Sequence, residues 1–262
     1  MKSILNSIQH FFRKKISSER PNIWQKLFLL RKMYITKIFR IFYSQFGEDI
    51  VLKAFLPKDK KNGFYVDVGC YHPKKYSNTY LLHKKGWRGI NVDLDALKVA
   101  GFNMVRPKDC NITAAVSDRE EIVKVFSFGT YSLVTTLDEA TATKDTSQVQ
   151  GIREIQTRTL TNVIDDTPFA GQQIDLLSID AEGHDLNVLK SLDLEKYKPW
   201  MIIIETHLAY FDQVESSELY LYLKQKGYHL INWVGFSLIF TLPDNPLLRF
   251  DRRVSSQSQP SS

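Results

Sequence analysis

Four apolar runs in this chain end in an acid. FYVD stops at Asp67, INVD at Asp93, LLSID at Asp180 and MIIIE at Glu205. A carboxylate in such a place can accept hydrogen bonds from a bound ribose, take a proton from a weak nucleophile, or meet a hard cation. One acid at a solvated strand end is ordinary. Four on separate runs point to a ligand site along one edge of a sheet.

The first run continues as Asp67-Val68-Gly69 and then breaks into Cys70, Tyr71, His72 and Pro73. Gly69 lets backbone approach a ligand, and the helix that follows can receive a carboxylate at its N-terminus. The second and third glycines of a dinucleotide fingerprint are missing, so a pyrophosphate is not expected. S-adenosylmethionine (SAM) carries one carboxylate and no pyrophosphate, and it suits the shorter turn. Asp93 follows Asp67 by 26 residues, near the ~20-residue offset at which an acid takes the ribose hydroxyls.

At the other end, DAEGHD groups Asp180, Glu182, His184 and Asp185 around Gly183, with Glu205 and His207 on the next run. For transfer to an alcohol, the expected base is Asp180 or Glu182, with His207 third. His184 reads equally well as a helix-start residue, and Asp185 as an N-cap or first-turn acid. Asp180, Glu182 and Glu205 are hard oxygen donors of the kind a divalent metal takes, yet their spacing fixes no geometry and no metal site is assigned.

The elements that must position these residues alternate strand and helix from Ser44 onward, the pattern of an α/β domain with a parallel sheet. GINVD, NITAAVSD, IDLLSID and WMIIIE read as strands after the first. Helices are expected after SNT (capped by Ser77 or Asn78 and stopped by Gly86), from Asp95, over DLNVLKSLDLEKY and over ESSELYLYLKQKG. YHLINWVGFSLIFTL reads as two strands turned at Gly235, an antiparallel hairpin rather than another crossover. A mostly parallel sheet ending in such a hairpin is the Rossmann-like sheet of SAM methyltransferases. Residues 121–137 read as a β-ribbon and 138–156 as a polar excursion, so that 121–156 forms an irregular insertion and candidate acceptor lid.

Charge divides the chain. Residues 1–41 hold ten Lys/Arg against Glu19 alone, while the other 221 residues hold 25 basic and 28 acidic side chains. A mildly acidic main domain argues against a nucleic-acid enzyme. The basic arm sets Ile4, Ile8 and Phe11, then Trp24, Leu27 and Tyr34, at helical spacing. It is fit for peripheral contact with an anionic membrane or for packing on its own domain, and too interrupted to span a bilayer. Cys70 and Cys110 form no disulfide framework, which suggests a cytoplasmic setting and buried thiols. Residues 42–250 form the expected main domain and 251–262 a disordered tail.

The stretches YSQFGEDIVL (43–52), GFYVDVGCYHPKKYSNTYLLHKKGWRGINVD (63–93), RPKDCNITAAVSD (106–118), TRTLTNVI (157–164), IDLLSIDAEGHDLNVLKSL (174–192) and IIIET (202–206) together resemble the FkbM-type SAM-dependent methyltransferases. The resemblance covers about 44 to 240 and leaves the arm out. It implies a class I methyltransferase fold that methylates a hydroxyl, commonly on a sugar or polyketide-like acceptor. It further implies that Asp67, Gly69, Ser77, Asn78 and Asp93 belong to the cofactor site and that Asp180 and Glu182 lie beside the transferred methyl. Two other readings compete. Asp93-Leu94-Asp95 has the acid-x-acid form of a nucleotide-sugar glycosyltransferase, and the whole could be a non-catalytic methyltransferase-like scaffold at a membrane surface.

Overall fold

The computed structural model describes residues 21–35, 41–57, 60–127, 135–136 and 151–248. Within it the apolar runs become strands for a plain reason. They are rich in Val and Ile, and a strand buried on both faces gains from apolar residues at every position. β1 (Phe64–Val68), β2 (Arg88–Asp93), β3 (Cys110–Thr113), β8 (Leu176–Ile179), β9 (Met201–Glu205), β10 (His229–Val234) and β11 (Ser237–Thr241) form one seven-stranded sheet. Their order across it is β3-β2-β1-β8-β9-β11-β10.

Every strand runs parallel except β11, which is antiparallel to both β9 and β10. The reversal follows from the short turn at Gly235-Phe236, with Gly235 at φ 56°, because two residues cannot make a crossover. It also sets the register Ser237↔Glu205. The turn is thereby delivered to the carboxyl end of β9.

Helices cover both faces: α2 (Glu48–Phe55), α3 (Tyr80–Lys84), α4 (Ala96–Val105), α5 (Leu160–Asp165), α6 (Asp185–Lys190), α7 (Phe211–Ser216) and α8 (Glu218–Gln225). One core packs Val66, Ile90, Leu177 and Ile202 against Val163, Leu189 and Leu223; the other packs Tyr65, Leu176 and Ile203 against Leu52 and Leu82. Each fully buried aliphatic side chain contributes about 1.5–3 kcal/mol relative to exposure.

A second, smaller sheet has the order β4-β7-β5-β6, from β4 (Ala115–Val116), β5 (Ile122–Ser127), β6 (Thr135–Thr136) and β7 (Gly151–Arg158). The β-ribbon expected after residue 121 is therefore present, with β5 pairing both β6 and β7. Residues 151–156, expected as the end of an irregular excursion, are instead strand, because their polar side chains sit on a half-exposed ribbon. Most of the expected lid, residues 128–134 and 137–150, lies outside the described residues, as do the tail and residues 1–20 and 36–40. In the arm, taken by itself, α1 (Pro21–Leu30) leads into one π-helical turn at Arg31–Ile35. Pro21 stands at the first helical position, where its missing N–H costs nothing. Among the described residues no helix is long and apolar enough to cross a membrane.

Candidate active site at the carboxyl edge of the sheet

A cavity of about 330 Å³ opens where β1, β2, β8 and β9 end. Gly69, Asp93, Asp180, Glu182, Glu205 and His207 line it, with Val92, Leu94, Ala114, Val116 and Val188 as an apolar wall. This is the edge at which parallel sheets bind ligands.

The β1 turn is held by Gly69 and Cys70, whose amides donate to the Val92 carbonyl at 2.9 and 3.2 Å. Gly69 has φ 75°, a conformation that only glycine adopts without cost. Beside it, Asp93 Oδ2 accepts from the Tyr71 amide (3.1 Å) and Oδ1 from the Asp95 amide (2.8 Å). Lys98 Nζ stands 3.8 Å from Oδ1, and both side chains are buried. Burial pushes the Asp93 pKa up against the pull of Lys98 and the two amides. Each oxygen keeps a further lone pair for a ligand hydroxyl. Asp95, by contrast, is the N-cap of α4, accepting from the Leu97 amide at 2.8 Å. The second acid of the Asp93-Leu94-Asp95 pattern is thus engaged by a helix end.

Beyond β8 the chain makes a tight turn with Glu182 at φ 49° and Gly183 at φ 93°. Asp185 closes it, accepting from the Ala181 amide (2.8 Å) and the Gly183 amide (3.1 Å). It is a first-turn acid of α6, as expected, and its carboxylate also closes the turn before the helix. His184 takes the N-cap position and its Nε2 pairs with Ser117 Oγ at 2.9 Å. Asp180 and Glu205 follow neighbours in register, Ile179↔Ile204, which sets their carboxyl groups side by side at the cavity. Burial holds the Asp180 pKa well above the carboxylate range, reinforced by Glu205, Glu182 and Asp185. Glu205 is pushed up to about 7, by burial first and then by Asp185 and Glu182. Glu182 is raised by burial and by Asp185. The ring of His207 stacks on Phe236 with centroids 5.9 Å apart. Among the described residues, no group of three or more His, Cys, Asp or Glu is arranged to hold a metal ion.

Of the residues singled out from the sequence, Gly69, Asp93, Asp180, Glu182, His184, Glu205 and His207 come together on the cavity. Asp67, Ser77 and Asn78 do not line it; they form a polar layer behind it. Its centre is Arg106, fully buried. The guanidinium donates to the Pro73 carbonyl (3.1 and 2.7 Å), Ser77 Oγ (2.9 Å) and Thr79 Oγ1 (2.9 Å). Thr79 Oγ1 in turn donates to Asp67 Oδ2 at 2.6 Å. Asn78 Nδ2 reaches Ser178 Oγ at 3.4 Å. Thr79, not Ser77 or Asn78, stands at the N-cap of α3, although Ser77 Oγ still accepts from the Tyr80 amide (3.1 Å). Cys110, expected to be buried, is half-buried on β3, while Cys70 is buried as expected.

Sequence reasoning missed Arg106, because a lone buried cation leaves no periodic trace. It missed Tyr71 and Tyr76, which line the cavity as a stacked pair with centroids 6.2 Å apart. Their φ values of 41° and 53° come from the loop that Arg106 pins through Pro73. It also missed Phe236, placed only by the β11 reversal.

The family model of the methyltransferase FkbM domain matches residues 67–230. The chain belongs to the FkbM methyltransferase family. The matched span runs from the β1 acid through to β10 and includes every acid that ends a strand. Its Rossmann-like sheet is the one the sequence pattern led us to expect. No curated protein matches the chain.

Proposed function

We propose that this FkbM-family protein transfers the methyl group of SAM to a hydroxyl of a neutral, sugar-like acceptor. The observation that carries this reading is that one cavity joins Gly69 and Asp93 at one end to Asp180, Glu182, Glu205 and His207 at the other. The lining fits the cofactor. SAM bears a positive sulfonium and a positive ammonium against one carboxylate, and the cavity offers four carboxyl groups against Lys98, itself paired with Asp93. Asp93 has lone pairs for ribose hydroxyls, and the apolar wall from Val92 to Val116 suits a flat base.

Bound there, SAM supplies an electrophilic methyl on sulfur. The protein's task is then alignment of an acceptor oxygen with that methyl and removal of the hydroxyl proton. Asp180, Glu182 and His207 are the groups for the second task. The acidic lining disfavours phosphorylated or carboxylated acceptors, while the exposed face of Phe236 on His207 suits the apolar face of a sugar ring. Tritiated SAM incubated with a panel of neutral and anionic glycosides tests this. Label should move to a neutral glycoside, and transfer only to anionic acceptors, or to none, counts against the reading.

The arm belongs to the same proposal. Leu27, Phe28, Leu30, Met33 and Tyr34 are exposed on residues 21–35, within a segment rich in Lys and Arg. Those features suit the surface of an anionic bilayer.

A further inference from the structure

Two buried oxygens at the reacting end, Asp180 Oδ1 and Glu205 Oε2, have no hydrogen-bond partner among the described residues. They belong to two carboxyl groups that lie against each other at the ends of adjacent parallel strands. A buried carboxylate oxygen with no donor is costly, and two facing carboxylates are costlier still. One proton between them would remove both defects, since a protonated carboxyl donates where an ionised one cannot. Among the described residues no lysine or arginine is paired with either group.

Charged neighbours act in the same direction. Glu182 and Asp185 face the pair from the turn before α6 and from its first residue. Glu48, on α2, is one step removed, accepting at 3.5 Å from Ser237 Oγ, whose residue is the register partner of Glu205. The groups of opposite tendency are engaged with other partners. Lys98 acts on Glu182, His184 is turned to Ser117, and His207 acts on Asp185.

We propose that Asp180 and Glu205 hold one proton between them in the free protein, release it when the cationic cofactor binds, and then take the hydroxyl proton of the acceptor. This rests on the reading of the cavity as a SAM site. Charge balances at each stage. The resting pair carries one negative charge; a sulfonium placed beside it favours the doubly ionised pair, and the proton leaves to water. During transfer the acceptor O–H bond breaks, the new O–C bond forms and the C–S bond breaks, leaving sulfur neutral. The hydroxyl proton moves to the pair, which regains its single proton. The base is thus armed by the cofactor it serves, and Glu205 joins Asp180 as a catalytic residue.

The test needs no acceptor. Titration calorimetry in buffers of different ionisation enthalpy measures the protons released on binding. Near pH 7, SAM should release up to about one proton, while S-adenosylhomocysteine, the neutral thioether, should release distinctly fewer. Glu205→Gln should abolish the difference yet still bind the thioether. Asp180→Asn, whose amide can donate permanently to Glu205, should do the same and guards against a folding artefact in the first variant. Equal proton release for both ligands, or a difference that survives in both variants, overturns the inference and leaves the methyltransferase reading standing. If neither ligand binds, the cavity has been misread, and the cofactor-linked inference falls with it. A carbon-13 carboxyl titration then still decides whether the shared proton exists, through a midpoint near 7 that is lost in Glu205→Gln.

Discussion

A methyl group added to Gly69 would stand 1.6 Å from the carbonyl oxygen of Asp180. The cofactor turn after β1 and the reacting end after β8 are therefore packed backbone to side-chain-less backbone, and neither can shift alone. Gly69→Ala meets that oxygen and a φ of 75° together. Overpacking and strain of this kind each cost on the order of 1–3 kcal/mol. We expect a lowered denaturation midpoint and loss of SAM binding, read by urea melts and calorimetry.

The Arg106 layer should matter for stability before it matters for chemistry. Arg106→Met strips the donors from Ser77, Thr79 and the Pro73 carbonyl and leaves Asp67 without its relay. Breaking a buried charge network from one side costs about 3–5 kcal/mol. The expected outcome is a large drop in unfolding free energy, with Arg106→Lys only partly rescuing it because one ammonium cannot reach all of these acceptors. An Arg106→Met protein as stable as wild type would show that the layer is not what holds the 73–79 loop.

Much of this was legible in the sequence, for physical reasons. Strands buried on both faces read as unbroken apolar runs, so β1, β2, β8 and β9 and the acids that end them stood out. The β10–β11 hairpin was visible because Gly235 leaves too little chain for a crossover. What the pattern hid was long-range and polar. Arg106, Thr79 and Asp67 meet across 12 to 27 residues with no period to announce them. The strand β7 was hidden because a half-exposed ribbon tolerates Arg, Glu and Gln. Gln45 lines the cavity from a loop tied to α2, where Asp49 accepts from Ser44 Oγ at 2.8 Å and from the Tyr43 amide at 2.9 Å.

Stability should fall as pH rises through neutrality. The folded-state pKa of Glu205 lies at about 7, above the ordinary value of 4.5, so the folded protein binds more protons than the unfolded chain between those limits. Stabilisation from that excess is fully present below about 4.5 and is lost progressively as pH approaches 7. Melts across this window should show a decline on the order of a few kcal/mol, and Glu205→Gln should flatten it. A Glu205→Gln protein with the same pH slope as wild type would place the titrating group elsewhere.

Removing residues 1–41 should leave the cavity's ligand binding intact and abolish sedimentation with anionic vesicles, because the arm holds the basic excess. Equal vesicle binding by the truncated chain would move the membrane contact to the main domain.

The most direct test of the site is calorimetry of S-adenosylhomocysteine against wild type, Asp93→Ala and Asp95→Ala. Asp93 faces the cavity, and leaving two ribose hydroxyls unpaired costs ~1.5–3 kcal/mol, so Asp93→Ala should weaken binding roughly ten- to hundredfold. Asp95 only caps α4, so Asp95→Ala should bind as wild type does. No binding by wild type, or binding that survives Asp93→Ala unchanged, would contradict a SAM site at the carboxyl edge of this sheet.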